Sequence, residues 1–286
     1  MMNLSITTKL ELNNDEKIPI FGLGTWKSEE GKECENAVYW ALKHGYIHID
    51  TAAIYGNERS VGKGLHKFLS ETGTSRDDIY ITTKLWISDF EYDKVFNALE
   101  TSLKKLKLHY VDLYLLHWPE SKHRIEAWKA LEKINKKGTV KSIGVSNFLI
   151  PQLEELLAEA DVIPQINQVE FTPFLYLKDL HNYCEKKGIK IEAYSPLTHG
   201  KRLDNQNLRN IAANYNKSTA QILIRWGLQK KIVEIPKSVN KQHIIENAQI
   251  FDFNISEEDM KKLDGLDMEY RAMEDPEWHP THERWK

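Results

Sequence analysis

Eight short apolar, β-branched runs recur along this chain, with amphipathic stretches between them. That alternation restricts the fold more than any other feature. The runs are IPIFGLG (18–24), YIHID (46–50), IYITTK (79–84), VDLYLLH (111–117), VKSIGVS (140–146), PQINQVE (164–170), IKIEAYS (189–195) and IVEIP (232–236). Their length, Ile/Val content and polar flanks suit parallel strands buried on both faces. The stretches between them have helical spacing. CENAVYWALKHG (34–45) puts Val38, Ala41 and Leu42 on one face and stops at Gly45, and 95–108 repeats Val95, Leu99, Leu103 and Leu106. RIEAWKALEKINKKG (124–138) ends in lysines and Gly138, and Pro151 suits the first turn of the next helix. Segments 218–231 and 243–251 continue the pattern, and Ser256 and Asp259 stand in capping-box spacing.

Eight such steps in 286 residues, with no linker or low-complexity tract, predict one domain over 1–286: a single α/β (β/α)8 TIM barrel. A doubly wound sheet would want GxGxxG after its first strand, and GLGTW (22–26) is not that. No GxxxxGK[ST] occurs either. Two apolar runs around Asn13-Asn14-Asp15 read as a β-hairpin, expected to plug the N-terminal mouth of the barrel. The tail 265–286 is expected as a loop over the active-site end.

Composition narrows the class of function. A net charge of −3, with 41% hydrophobic and 28% charged residues, leaves no basic footprint for nucleic acid. No apolar run is long enough for a bilayer, and the first residues lack a signal-peptide core. The two cysteines, Cys34 and Cys184, form no CxxC. A reduced, cytoplasmic protein is expected, as a monomer, with an oligomer left open. No metal is expected: His279 and His282 in HPTH have no partnering cysteine cluster.

Chemistry in a barrel gathers at the C-terminal strand ends. Strand two ends in Asp50, strand three in Lys84 and strand four in His117, and Tyr55 lies in the loop after strand two. Neighbouring strands are about 5 Å apart, so the four side chains can meet. Taken singly, each has a plainer explanation: Asp50 a helix cap, Lys84 a solvated lysine, His117 a core histidine, Tyr55 packing. Taken together they form a proton donor. A tyrosine of pKa about 10 is too weak an acid near neutrality. An ammonium beside it favours the phenolate, and an aspartate keeps that ammonium charged. A histidine can hydrogen-bond a carbonyl oxygen. Such a set protonates an oxygen on which negative charge develops, as carbonyl reduction by hydride requires.

The chain resembles the aldo-keto reductases nearly end to end. The motifs are FGLGTW (21–26), HIDTAAIYGNE (48–58), ITTKLW (81–86), VDLYLLHWP (111–119), KSIGVSNF (141–148), QINQVEFTPF (165–174), EAYSPL (192–197) and IPKSVNKQHIIEN (235–247). The resemblance implies an NADPH-dependent reductase of microbial, small-carbonyl-reducing type. Its catalytic tetrad would be Asp50, Tyr55, Lys84 and His117, with Tyr55 as general acid. By matching motif, Ser146, Asn147 and Gln168 would bind the nicotinamide carboxamide and Tyr194 would stack on its ring. Ser195 and Leu197 would touch the pyrophosphate, and Thr25 and Trp26 would line the nicotinamide end. Lys237 and Ser238 would meet the 2′-phosphate, and Glu246 and Asn247 the adenine end. His243 departs from the family pattern, which has arginine there, so some NADH use is expected beside NADPH. Trp26, Trp86, Trp118 and Trp278 are candidate walls of a substrate pocket, and the short WPESKHR (118–124) and short tail suggest an open site. The implied substrates are small aldehydes, dicarbonyls or keto-sugars. Two other readings are a barrel lyase using Lys84 as a Schiff-base nucleophile and a non-catalytic nicotinamide-binding sensor or interaction module.

Overall fold

A computed structural model describes residues 4–119 and 123–273. It opens with the hairpin: β1 (Lys9–Glu11) pairs antiparallel with β2 (Lys17–Pro19). The eight strands of a parallel sheet then alternate with helices. They run β3 (Leu23–Gly24), α1 (Lys32–Lys43), β4 (His48–Asp50), α2 (Glu58–Thr72), β5 (Tyr80–Leu85), α3 (Tyr92–Leu106), β6 (Val111–Leu116) and α4 (Arg124–Lys136). There follow β7 (Val140–Ser146), α5 (Ile150–Glu159), β8 (Ile166–Glu170), α6 (Lys178–Lys186) and β9 (Lys190–Tyr194). Two helices, α7 (Gln206–Asn214) and α8 (Thr219–Gln229), precede β10 (Val233–Glu234), and α9 (Lys241–Asn247) and α10 (Glu257–Asp264) follow it.

The sheet runs in chain order from β3 to β10. Parallel bridges from Phe21 to Glu234 and from Gly24 to Lys237 join its two edges, which closes the barrel. Closure depends on glycine at one point. A Cβ on Gly24 would stand 2.7 Å from the Ile235 carbonyl oxygen, so only glycine lets the first and last strands approach.

The run 18–24 is divided between two sheets. Ile18 faces Leu10 in the hairpin, Ile20 N–H still reaches the Thr8 carbonyl, and from Phe21 onward the backbone pairs with the last barrel strand. The hairpin turn lies against the starts of later strands. Asn13 Nδ2 donates to the carbonyls of Pro164 and Gly188, Asn14 Nδ2 to that of Lys141, and Gln165 Nε2 donates to Asn13 Oδ1. The amides of the turn thus satisfy backbone groups that the strands leave open.

Three helices are not among those expected from periodicity. Helix α2 carries two interior glycines, α6 is only nine residues, and α7 contains three asparagines, so local propensity is weak in each. Tertiary packing decides them: α2 lies against α1 and α3, α6 against β9, and α7 against α8. Ser256 caps α10 through the Asp259 amide, as its spacing implies, but the reciprocal half of the box is absent. The Asp259 carboxylate accepts from Tyr215 Oη and Lys262 instead. The tail beyond residue 273, with Trp278, His279 and His282, lies outside the described residues, as do residues 120–122 of the WPESKHR loop.

Gly62 gives a test of this packing. Helix propensity favours alanine over glycine by about 1 kcal/mol. A Cβ at Gly62, however, would come within 2.5 Å of the Leu106 carbonyl at the end of α3. Overpacking of this kind costs about 1 to 3 kcal/mol. Gly62→Ala should therefore lower the melting temperature while leaving activity per folded molecule intact; a rise in melting temperature would contradict the close α2–α3 approach.

Candidate active site

Strand alternation aims His48 and Asp50 of β4, Thr82 and Lys84 of β5, Gln168 of β8 and Glu192 of β9 into the barrel. Thr83, between two of them, points outward and donates to Glu58 of α2. After Asp50 the chain leaves the strand, makes one 3-10 turn over Ala53–Tyr55, and enters α2 behind Asn57. Asn57 fixes this loop: its Nδ2 donates to the carbonyls of Thr25 and Ser28, and its Oδ1 accepts from Thr51 Oγ1. Thr25 Oγ1 in turn donates to the Asp50 carbonyl. Tyr55 is thereby held above the ends of β4 and β5.

Lys84 is at the centre. Its side chain is fully buried, and Nζ donates to Asp50 Oδ1 at 2.6 Å, to the Thr51 carbonyl at 2.9 Å and to Tyr55 Oη at 3.2 Å. All three ammonium hydrogens are engaged. Because Tyr55 Oη accepts from Lys84, its own hydrogen is left to point away from the lysine. The His117 ring meets Tyr55 edge-on at 5.5 Å between centroids and Trp86 at 5.2 Å. The four residues expected to cluster therefore do so.

Burial and charge set their protonation. Burial works against a charged Lys84, but Asp50 and Tyr55 outweigh it and hold the ammonium above its ordinary value. Burial pushes the Asp50 carboxyl up, opposed by Lys84 and Gln168. Burial also raises the Tyr55 phenol, with Lys84 pulling the other way. The lysine acts in the expected direction, but burial is the larger effect, so Tyr55 keeps its proton at neutral pH. Burial, reinforced by Lys84, drives His117 well below its ordinary value, and its imidazole is neutral.

The residues expected at the carboxamide lie beside this cluster. Ser146 Oγ donates to the Gln168 carbonyl at 2.8 Å, and Asn147 Nδ2 reaches the His117 carbonyl at 3.0 Å and Ser146 Oγ at 3.1 Å. Asn147 has φ 66°, a left-handed conformation that asparagine tolerates. Its Oδ1 accepts from Tyr194 Oη at 2.8 Å. Gln168 Nε2 donates to Asp50 Oδ2 and to Glu192 Oε2, each at 2.8 Å. This group is continuous with the tetrad.

The remaining candidates lie further along the barrel rim. Ser195 and Leu197 are half-buried after β9, and Ser195 Oγ shares a hydrogen with His199 Nε2 at 2.8 Å. The His199 ring packs on Trp26 at 5.3 Å, with Lys27 Nζ 4.3 Å from the same indole. Lys237 is exposed just past β10, and Ser238 bonds within its own turn to Asn240. Asn240 caps α9, accepting from the amides of Gln242 and His243. His243 is exposed in the first turn of that helix, Glu246 accepts from Gln242 Nε2, and Asn247 is buried. Trp26 and Trp86 are half-buried and Trp118 is buried.

Sequence reasoning missed the floor of the site. Glu192 and His48 are wholly buried beneath Asp50 and Gln168, with His48 Nε2 3.6 Å from Glu192 Oε1 and 3.0 Å from Thr82 Oγ1. Burial, then Lys84, lowers His48 to about 3; burial and the Asp50 carboxylate push Glu192 up to about 8. The signal was present as strand period: His48 is two residues before Asp50, and Glu192 two before Tyr194. Asn57 and His199 carried no such signal. Among the described residues no group of three or more His, Cys, Asp and Glu could hold a metal, and no helix is long and apolar enough to cross a membrane.

Comparison with known proteins agrees with this geometry. The model of the Aldo/keto reductase family matches residues 20–268. The chain is 50% identical to the oxidoreductase YtbE of Bacillus subtilis over 96% of its length and 99% of that protein's. It is 47% identical to a glyoxal reductase of the same organism, with the same two coverages. A solved aldo-keto reductase of Bombyx mori in complex with NADP superposes at a TM-score of 0.91 with 34% identity, covering 99% of each chain.

Proposed function

Because the chain belongs to the aldo/keto reductase family and is an oxidoreductase, we propose that it reduces small aldehydes and dicarbonyls to alcohols with NADPH, Tyr55 giving the proton. The observation that carries this reading is the Lys84 ammonium within hydrogen-bond distance of both Asp50 and Tyr55 Oη. The residues present suit a nicotinamide cofactor: the half-exposed Tyr194 ring offers a planar face, Ser146, Asn147 and Gln168 offer hydroxyl and amide partners, and exposed Lys237 offers a phosphate contact. When bound, the reduced cofactor supplies a hydride to the carbonyl carbon.

The protein's own residues handle the oxygen. A neutral His117 can donate to it and orient it. Tyr55 holds its proton until negative charge appears on that oxygen, then transfers it. The phenolate left behind accepts a hydrogen bond from Lys84, which keeps it anionic without rearrangement. Asp50 prevents the loss of the lysine proton. The same pairing leaves Lys84 a poor Schiff-base nucleophile. The hairpin closes the opposite mouth, so substrate enters at the end where Tyr55, Trp26 and Trp86 stand. A dicarbonyl fits this arrangement because its second carbonyl makes the first more electrophilic, and the relative named glyoxal reductase acts within that class. A cytoplasmic location follows for an enzyme dependent on the reduced nicotinamide pool.

Tyr55→Phe removes only the hydroxyl. It should leave NADPH binding intact and lower kcat about 10²-fold or more, the scale of general acid catalysis. Near-normal turnover of methylglyoxal by this variant would reject the assignment, and absence of turnover by the wild type across a carbonyl panel would favour a nicotinamide sensor.

Lys84→Met should abolish most turnover, since both the phenolate's partner and the charge balance are lost. Asp50→Asn should be less damaging, because it disturbs the lysine and not the donor. Steady-state rates of the two variants decide; equal, small losses would contradict this order.

His243 is exposed in the first turn of α9, and its imidazole is not a permanent cation. If it faces the 2′-phosphate, His243→Arg should tighten NADPH binding by about 1 to 2 kcal/mol, the range of a charge-assisted contact. NADH affinity should move much less. Titrations of NADPH and NADH against the wild type and the arginine variant, at one pH, check this. An unchanged ratio of NADPH to NADH dissociation constants would place His243 away from the phosphate.

A further inference from the structure

Beneath the tetrad lies a carboxyl group to which the mechanism above gives no task. Glu192, on β9, is fully buried, and its register partner on β8 is Gln168. The Gln168 amide nitrogen has two hydrogens. One goes to Asp50 Oδ2 and the other to Glu192 Oε2, each at 2.8 Å. Two acids, one from β4 and one from β9, therefore fix the rotation of one amide. With both hydrogens held, the Gln168 carbonyl oxygen is the part of the side chain left to meet a ligand.

We propose that Glu192 is a positioning residue of this site: it locks Gln168 so that the amide carbonyl receives the nicotinamide carboxamide, and its charge state sets how readily Tyr55 releases a proton. This rests on reading Gln168 as a carboxamide ligand and Tyr55 as the proton donor.

The surroundings of Glu192 define when its charge changes. From β4 it is faced by His48 and Asp50, from β5 by Lys84 and by Tyr80, whose ring packs edge-on to His48, and from β8 by Gln168. Its partner on β10 is the apolar Val233. Glu192 Oε1 has no hydrogen-bond partner among the described residues. Burial and Asp50 push the carboxyl up to about 8, against Gln168 and Lys84. His48, lowered to about 3, stays neutral and offers no compensating charge.

The sign of the effect follows. Below about pH 8 Glu192 is neutral, and Asp50 alone balances Lys84. Above it, a second negative charge appears in the barrel. That charge raises both Lys84 and Tyr55, so the phenol becomes a weaker acid. Reduction should slow as pH rises through about 8. Tyr55 itself, raised from its ordinary value of 10.0, titrates later, so the two limbs are separable. Stability responds as well. The unfolded chain releases the Glu192 proton near its ordinary value of 4.5, whereas the folded chain keeps it to about 8. Folding stability is therefore lost as pH rises across that window.

The test compares wild type, Glu192→Gln and Glu192→Leu. The glutamine keeps an oxygen to accept from Gln168 and cannot ionise; the leucine removes the acceptor. Methylglyoxal reduction is followed from pH 6 to 10, and NADPH binding by quenching of tryptophan fluorescence. The wild-type rate should fall through a first alkaline limb near pH 8, and Glu192→Gln should lack that limb. Glu192→Leu should bind NADPH about tenfold more weakly, the scale of one lost buried hydrogen bond, while Glu192→Gln binds as wild type does. Superimposable pH profiles for wild type and Glu192→Gln, or unchanged NADPH affinity in a folded Glu192→Leu, would overturn the proposal. If Glu192→Leu fails to fold, the glutamine variant decides alone. If the wild type reduces no carbonyl, the functional reading fails separately. Glu192 is then judged by melting temperature: a gain in Glu192→Gln that grows from pH 5 to 8 supports it, and a constant difference overturns it.

Discussion

A fully buried ammonium is the constraint around which this site is arranged. Lys84 sits inside the barrel with no solvent access, where an unpaired charge would be costly. Three acceptors on one short stretch answer it: the Asp50 carboxylate at the end of β4, the Thr51 carbonyl one residue on, and Tyr55 Oη four residues later. The strand end, the 3-10 turn and the tyrosine therefore work as one cradle. Its position depends in turn on Asn57, which ties the loop to Thr25 and Ser28 after β3. A change in any of these contacts would leave a buried charge less well matched.

The charge balance extends below the cradle. Asp50 uses one oxygen for Lys84 and the other for Gln168, and Gln168 passes the network on to Glu192. Lys84 and Asp50 cancel, while His48 and His117 are kept neutral by burial. An interior of this kind supplies fixed dipoles without requiring rearrangement when charge develops on a substrate. Burial, and not the lysine, dominates the Tyr55 phenol, which keeps its proton at neutral pH; in the proposed reaction the lysine acts when that proton leaves.

The two ends of the barrel have separate tasks. At the N-terminal end, hairpin asparagines occupy backbone groups of residues 141, 164 and 188. At the other end, strand termini carry the polar side chains, and loops carry Tyr55, Trp26 and His199. Closure of the sheet through Gly24 brings the segment after β10, with Lys237, beside the segment after β3, with Thr25. Residues remote in sequence become neighbours along one rim.

Much of this was legible in the chain itself. The alternation of apolar runs and helical stretches specified a barrel, because parallel strands buried on both faces need helices between them. Asp50, Lys84 and His117 were recognisable because strand ends in that fold face a common mouth. The helices α2, α6 and α7 were not, because their local propensity is weak and packing on neighbouring elements decides them. Nor was the division of 18–24 between hairpin and barrel, which follows from where each backbone group finds its partner. The pairing of Gln168 with Glu192, the neutral state of both buried histidines and the net rise of the Tyr55 phenol were set only by tertiary structure. Sequence order specifies which side chains point inward, but the strength of a charge depends on how much water surrounds it and what lies within a few ångströms, and only the closed barrel determines that.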